Sequence, residues 1–156
     1  MDFDLIKRIL AALASEGVHY AVCGGAALNL HGLPRFTQDL DLFVEPEAEN
    51  IARLRRALRS VFDDPQIDEI TAEDMLGEFP AVQYVPPQGS FHLDILTRLG
   101  EAFHFADLEC QSLDFDGVPV SVVTARQLYR MKKDTVRPQD RADAEALRRR
   151  FGFSEV

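Results

Sequence analysis

Apolar residues at Phe3, Ile6, Ile9, Leu10 and Leu13 recur at the spacing of one helix face, and Gly17 ends the run. The pattern predicts a helix over residues 3–15. "VHYAVCG" then changes period: β-branched and aromatic residues run into Gly24 and Gly25, as a buried strand entering a turn does. "AALNLHG" predicts a short helix that starts at the double glycine and ends at Gly32. After the loop "LPRFT", "QDLDLFVE" predicts a second strand, stopped by Pro46. Glu47 to Val61 carries Ile51, Leu54, Leu58 and Val61 on one face of an amphipathic helix. The acidic stretch 63–79 holds a short helix with Thr71 as its cap and Asp74 three residues on. "AVQYV" and "FHLDIL" form a hairpin around "PPQGS", and "LECQSLDF" and "VPVSVV" a second one around Asp116–Gly117. Two helices close the chain, over about 124–135 and from Pro138 to just before Gly152. This order implies an α/β (α+β) fold: a mixed β-sheet flanked by helices, with a C-terminal helical pair, in one domain over 1–156.

One strand breaks the apolar pattern. Asp39 and Asp41 lie two apart, so both carboxylates project from one face while Leu40 and Leu42 face the other. Their Cβ atoms stand about 7 Å apart, a separation suited to holding one or two divalent ions. The bland alternative is an exposed acidic edge strand. Gly24 and Gly25 sit at a strand-to-helix junction, where backbone N–H groups receive anions and an absent Cβ permits close approach. Thirteen residues, Ala26 to Gln38, separate Gly25 from Asp39, enough for one helix and a loop that returns the chain beside itself. Asp94, between Leu93 and Ile95, is a third acid inside an apolar strand. It would complete a two-metal site and take the proton of an attacking hydroxyl. An anion cradle beside a cation site is what a metal-bound nucleoside triphosphate requires.

Composition narrows the classes further. No apolar run approaches a membrane span, and "MDFDLIKRIL" mixes charge into its apolar residues, which places the expected location in the cytoplasm without a membrane partner. A net charge of −9 argues against a general nucleic-acid coat, although "RLRRALR", "RQLYRMKK" and "RRR" are basic islands. Cys23 and Cys110 read as small buried hydrophobes. His19, His31, His92 and His104 have no zinc spacing and read as structural or surface residues.

Together "VCGGAALNLHG", "QDLDLFV" and "FHLDIL" resemble the nucleotidyltransferase superfold shared with DNA polymerase β. "PRFTQDLDL" is similar to the R-x-T-x-D-[LI]-D form of the bacterial AbiEii-like toxins and antibiotic nucleotidyltransferases, and "LYRMKKDTVRPQDRADAEAL" is similar to the tail of the same minimal families. The resemblance implies that Asp39, Asp41 and Asp94 hold Mg²⁺, two ions in number, or Mn²⁺. It implies that Gly24 and Gly25 receive the β- and γ-phosphates, with Arg35, Thr37 and Lys132 as further phosphate-side residues. Many members carry serine where Gly25 stands, so a hydroxyl contact is absent here. Arg137, Asp140 and Asp143 read instead as an electrostatic clamp on the last helix.

The function expected is transfer of an NMP from an NTP to an acceptor hydroxyl: an RNA 3′ end such as that of a tRNA, a protein side chain, or a small molecule such as an antibiotic. A role as the toxin partnered by a cognate antitoxin is consistent with the resemblance. The alternatives are a non-catalytic binding or regulatory protein on the same fold and, more weakly, a metal-dependent phosphohydrolase.

Overall fold

The computed structural model describes residues 3–35, 37–87 and 91–153. In chain order the elements are α1 (Phe3–Ser15), β1 (Tyr20–Cys23), α2 (Gly24–Leu30), β2 (Asp39–Val44), α3 (Ala48–Val61), α4 (Ala72–Leu76), β3 (Ala81–Tyr84), β4 (His92–Leu96), β5 (Arg98–Leu99), β6 (Phe103–His104), β7 (Cys110–Phe115), β8 (Val118–Val123), α5 (Ala125–Lys132) and α6 (Pro138–Phe151). Each predicted helix and strand has its counterpart here. Periodicity did not reveal the small β5–β6 ladder or the two 3₁₀ turns at Pro65–Glu69 and Phe105–Asp107, which are too short to show a repeat. The predicted turn "PPQGS" extends beyond the described residues at 88–90.

Six strands form one mixed sheet in the order β3-β4-β2-β1-β8-β7. The pairs β1–β2, β3–β4 and β7–β8 are antiparallel. β2–β4 and β1–β8 are parallel. The local chemistry explains the turns. Asp116 and Gly117 both take positive φ, 50° and 88°, which two-residue hairpins with the sheet's twist demand. Thr71 and Thr124 cap α4 and α5 by accepting from the N–H groups of Asp74 and Gln127. Gly152 ends α6 in the left-handed region at φ 72°.

The core lies chiefly against the face carrying Val22, Leu40, Leu42, Val120 and Val122, where α1 packs on α3 and β8. α5 and α6 pack on each other, and α5 touches α2 and β8. Cys23 is buried as expected, but Cys110 is exposed: β7 is the outer strand of the sheet, and its residues 110–112 have no layer above them. Among the described residues, no helix is long and apolar enough to cross a membrane.

Candidate active site

β1 and β2 pair so that Cys23 lies opposite Asp41, which brings the double glycine directly beside the acidic strand. β4 then runs parallel to β2, with Asp39 level with His92 and Asp41 level with Asp94. Burial alternates along both strands: Leu40, Leu42, Leu93 and Ile95 are buried, while Asp39, Asp41, His92 and Asp94 open on the other face. The four polar side chains therefore form a two-by-two patch, two per strand.

These groups are crowded. Burial pushes the Asp41 carboxyl up to about 7. A hydrogen bond with the Asp94 side chain and the charges of Asp94 and Asp39 add to that rise, and the Lys132 ammonium opposes it. On the Asp39 side, His92 Nε2 lies 2.7 Å from Asp39 Oδ1 and 3.5 Å from Asp94 Oδ2. Asp39, His92 and Asp94 each offer a ligand atom, all within 4.8 Å of one another. Hard carboxylate oxygens with one imidazole form a donor set that fits a divalent cation.

The double glycine proves to be a steric requirement of this patch. Gly24 has φ 66°, and a Cβ built on it would overlap the Asp41 carboxylate. A Cβ on Gly25 would stand 3.0 Å from Thr37 Cβ and 3.2 Å from its Oγ1. Any side chain at position 25 would press on Thr37, which would have to give by a few tenths of an ångström. Its hydroxyl accepts from the Asp39 N–H at 3.1 Å and lies 3.2 Å from the Asp39 carbonyl oxygen, which shapes the entry to β2.

Arg35 and Lys132 converge from other elements. The Lys132 ammonium is buried between Asp140 Oδ1 at 3.1 Å and Asp143 Oδ2 at 3.0 Å. Arg35 Nε lies 3.3 Å from Asp143 Oδ1, and its backbone N–H donates to Asn29 Oδ1 at 3.1 Å. Thr135 donates to Asp140 and Gln139 to Asp143. Arg137 stands further out, 3.7 Å from Asp140. The clamp on α6 therefore closes mainly on Lys132 and Arg35. Lys132 still acts on the acidic patch, because its charge lowers both Asp41 and Cys23, whose thiol burial pushes far up.

His92 is the residue in this patch that reading the sequence did not single out. The signal was present: His92 lies two before Asp94 and so shares its strand face. The other described histidines lie elsewhere, with His31 on the Val123 carbonyl and His19 on Glu45.

With two alternating acids, a third level with them on a parallel strand and a glycine pressed against them, the geometry agrees with what family comparison finds. A model of the nucleotidyl transferase AbiEii toxin family, type IV toxin–antitoxin system, matches residues 8–149. The chain belongs to the AbiEii nucleotidyl transferase family. Solved structures similar to this member include ANT(2″)-Ia in complex with adenylyl-2″-tobramycin, at 16% identity and TM-score 0.56, covering 96% of this chain and 89% of that one. TM1012 from Thermotoga maritima, provisionally assigned as a nucleotidyltransferase, has 15% identity and TM-score 0.57, covering 96% and 91%. An antigenic nucleotidyltransferase-like protein from Paracoccidioides brasiliensis has 16% identity and TM-score 0.57, covering 93% and 74%. These likenesses establish the nucleotidyltransferase fold. No curated protein sequence matches the chain.

Proposed function

We propose that this AbiEii-family protein is an active, metal-dependent nucleotidyltransferase that moves an NMP from an NTP to an acceptor hydroxyl, and that it acts as the toxin of a toxin–antitoxin pair. The observation that carries the reading is the Asp41–Asp94 pair, level on parallel strands, with Asp39 on the same face. Crowding three carboxylates on one face raises Asp41 and disfavours its charged form, a cost that a bound cation would offset and a protein that only bound partners would not need.

Asp39, Asp41 and Asp94 would hold the divalent ions, Mg²⁺ or Mn²⁺. When bound, such ions supply charge neutralisation for the triphosphate and for the oxygens of an in-line displacement. The residues do the rest. Gly24 and Gly25 would receive the β- and γ-phosphates through the backbone N–H groups of the β1–α2 turn, while the space that their Cβ atoms would take is filled by the Asp41 carboxylate and Thr37. Lys132, whose charge reaches Asp41, is held together with Arg35 by Asp140 and Asp143. Asp94, about one-third exposed, would accept the proton of the incoming hydroxyl. Transfer then breaks the bond between the α- and β-phosphates and releases pyrophosphate. Candidate acceptors are an RNA 3′ end, a protein hydroxyl or a small-molecule hydroxyl, and the antitoxin would be a separate protein that restrains this activity.

Incubation with each α-labelled NTP and total RNA, cell protein or aminoglycoside should label one acceptor class. Asp41→Asn and Asp94→Asn should each lower that labelling by at least about a hundredfold, and EDTA should abolish it. Labelling that survives both substitutions would overturn the assignment. Release of phosphate from NTP with no labelled acceptor would identify a hydrolase instead.

A further inference from the structure

His92 stands in the acidic patch with its ring nitrogen between two carboxylates, and the transfer reading leaves it without a task. We propose that His92 is a nitrogen ligand of the divalent ion held by Asp39 and Asp94, and that it turns the site toward first-row transition ions such as Mn²⁺ or Co²⁺ over Mg²⁺. The inference rests on the reading of Asp39, Asp41 and Asp94 as a cation site.

The geometry supports a shared ion. Two ligands about 2.1 Å from one metal stand about 3.0 Å apart at a right angle and about 3.4 Å apart at a tetrahedral angle. His92 Nε2 lies 2.7 Å and 3.5 Å from the nearest Asp39 and Asp94 oxygens, which brackets those values. The side chains are 29%, 39% and 34% exposed for His92, Asp39 and Asp94, so a hydrated ion can reach all three. The strands hold them there, since Asp39 and His92 are register partners on paired backbones and Asp94 follows two residues along the same face. Mg²⁺ prefers an all-oxygen shell and dehydrates reluctantly, whereas imidazole favours the softer first-row ions.

The competing role for His92 is that of an internal cation, a protonated imidazole that offsets Asp39 and Asp94 without touching metal. The two roles give opposite results on removal of the ring. A counter-ion competes with metal, so its loss leaves metal binding equal or tighter; a ligand contributes to binding, so its loss weakens it.

The test uses the full chain and the metals alone. Mn²⁺ is titrated into the protein with the free ion read by EPR, and Mg²⁺ is measured by its competition. Electron spin-echo modulation of the bound Mn²⁺ then reports any nitrogen in its shell, with no variant needed. The wild type should hold Mn²⁺ at least about tenfold tighter than Mg²⁺ and show ¹⁴N modulation. His92→Gln and His92→Ala should lose the modulation and bind Mn²⁺ about tenfold more weakly, with Mg²⁺ affinity changed less than about twofold. A wild-type Mn²⁺ complex without ¹⁴N modulation, or variants that bind Mn²⁺ as well as the wild type, would overturn the role of His92. Asp39→Asn and Asp41→Asn losing Mn²⁺ in that same experiment would leave the carboxylate site and the transfer reading standing. A wild type that binds neither ion would overturn both.

Discussion

Gly24 carries two demands at once. Its φ of 66° lies where a side chain is strained, and the position a Cβ would take is already filled by the Asp41 carboxylate. Gly17 shares the first demand, with φ 69°, but has nothing within 4 Å of its would-be Cβ. The pair separates strain from crowding. Gly17→Ala should destabilise the protein by about 1–2 kcal/mol, the cost of a left-handed L-residue. Gly24→Ala should cost at least about 2 kcal/mol more, or else displace Asp41 and abolish transfer. Urea unfolding of both variants with a labelling assay would check this; equal, small losses would show that Asp41 yields freely. The sequence marks the double glycine as a turn that leaves room for an anion. That the room next to Gly24 belongs first to a carboxylate is visible only once β1 and β2 are paired.

Among the elements, the last helix is where local and long-range effects meet. Pro138 at its start and Gly152 after its end are legible from the chain, and they delimit α6 with no reference to the rest of the molecule. Its docking depends on Asp140 and Asp143, buried against the Lys132 ammonium of α5, and on Arg35 ahead of β2. A lysine eight and eleven positions before two acids carries no pairing signal, because the turn between α5 and α6 decides which faces meet. Lys132→Met would leave two buried carboxylates without their main partner, with an expected loss of about 3–5 kcal/mol. Thermal unfolding should show it, along with earlier proteolysis at the junction of α5 and α6. A Lys132→Met protein as stable as the wild type, but inactive, would assign Lys132 to substrate rather than to the clamp.

For the whole molecule, these two clusters set opposite pH limits. Burial would push Asp140 up, but the Lys132 ammonium, by hydrogen bond and by charge, with Thr135 and Arg137, holds it below its ordinary 3.8. A depressed folded value means that stability is present above about 4 and lost as pH falls through the folded value. Asp41 goes the other way, from 3.8 to about 7, so its contribution is complete below about 4 and is lost progressively as pH rises to about 7. Metal-free protein should therefore be most stable near pH 4 and lose on the order of a few kcal/mol by pH 7. Asp41→Asn should flatten the upper limb and leave the acid limb intact, as melting temperatures in EDTA across pH 3–9 would show. An upper limb unchanged by the substitution would locate the repulsion elsewhere.

The sequence by itself determined the period of nearly every element, the turns at Asp116–Gly117 and Gly152, and the shared face of Asp39 and Asp41. All of these follow from backbone geometry within a few residues, where a side chain's direction depends only on its place in a helix or strand. Tertiary structure alone decided that β4 lies parallel to β2, which sets Asp94 level with Asp41 and His92 beside Asp39. It also decided that Lys132 is enclosed by α6. Those neighbours are chosen by which faces bury together over the whole sheet, a balance to which distant residues contribute as much as adjacent ones. For that reason a histidine that looks scattered along the chain stands, in the fold, within reach of two carboxylates.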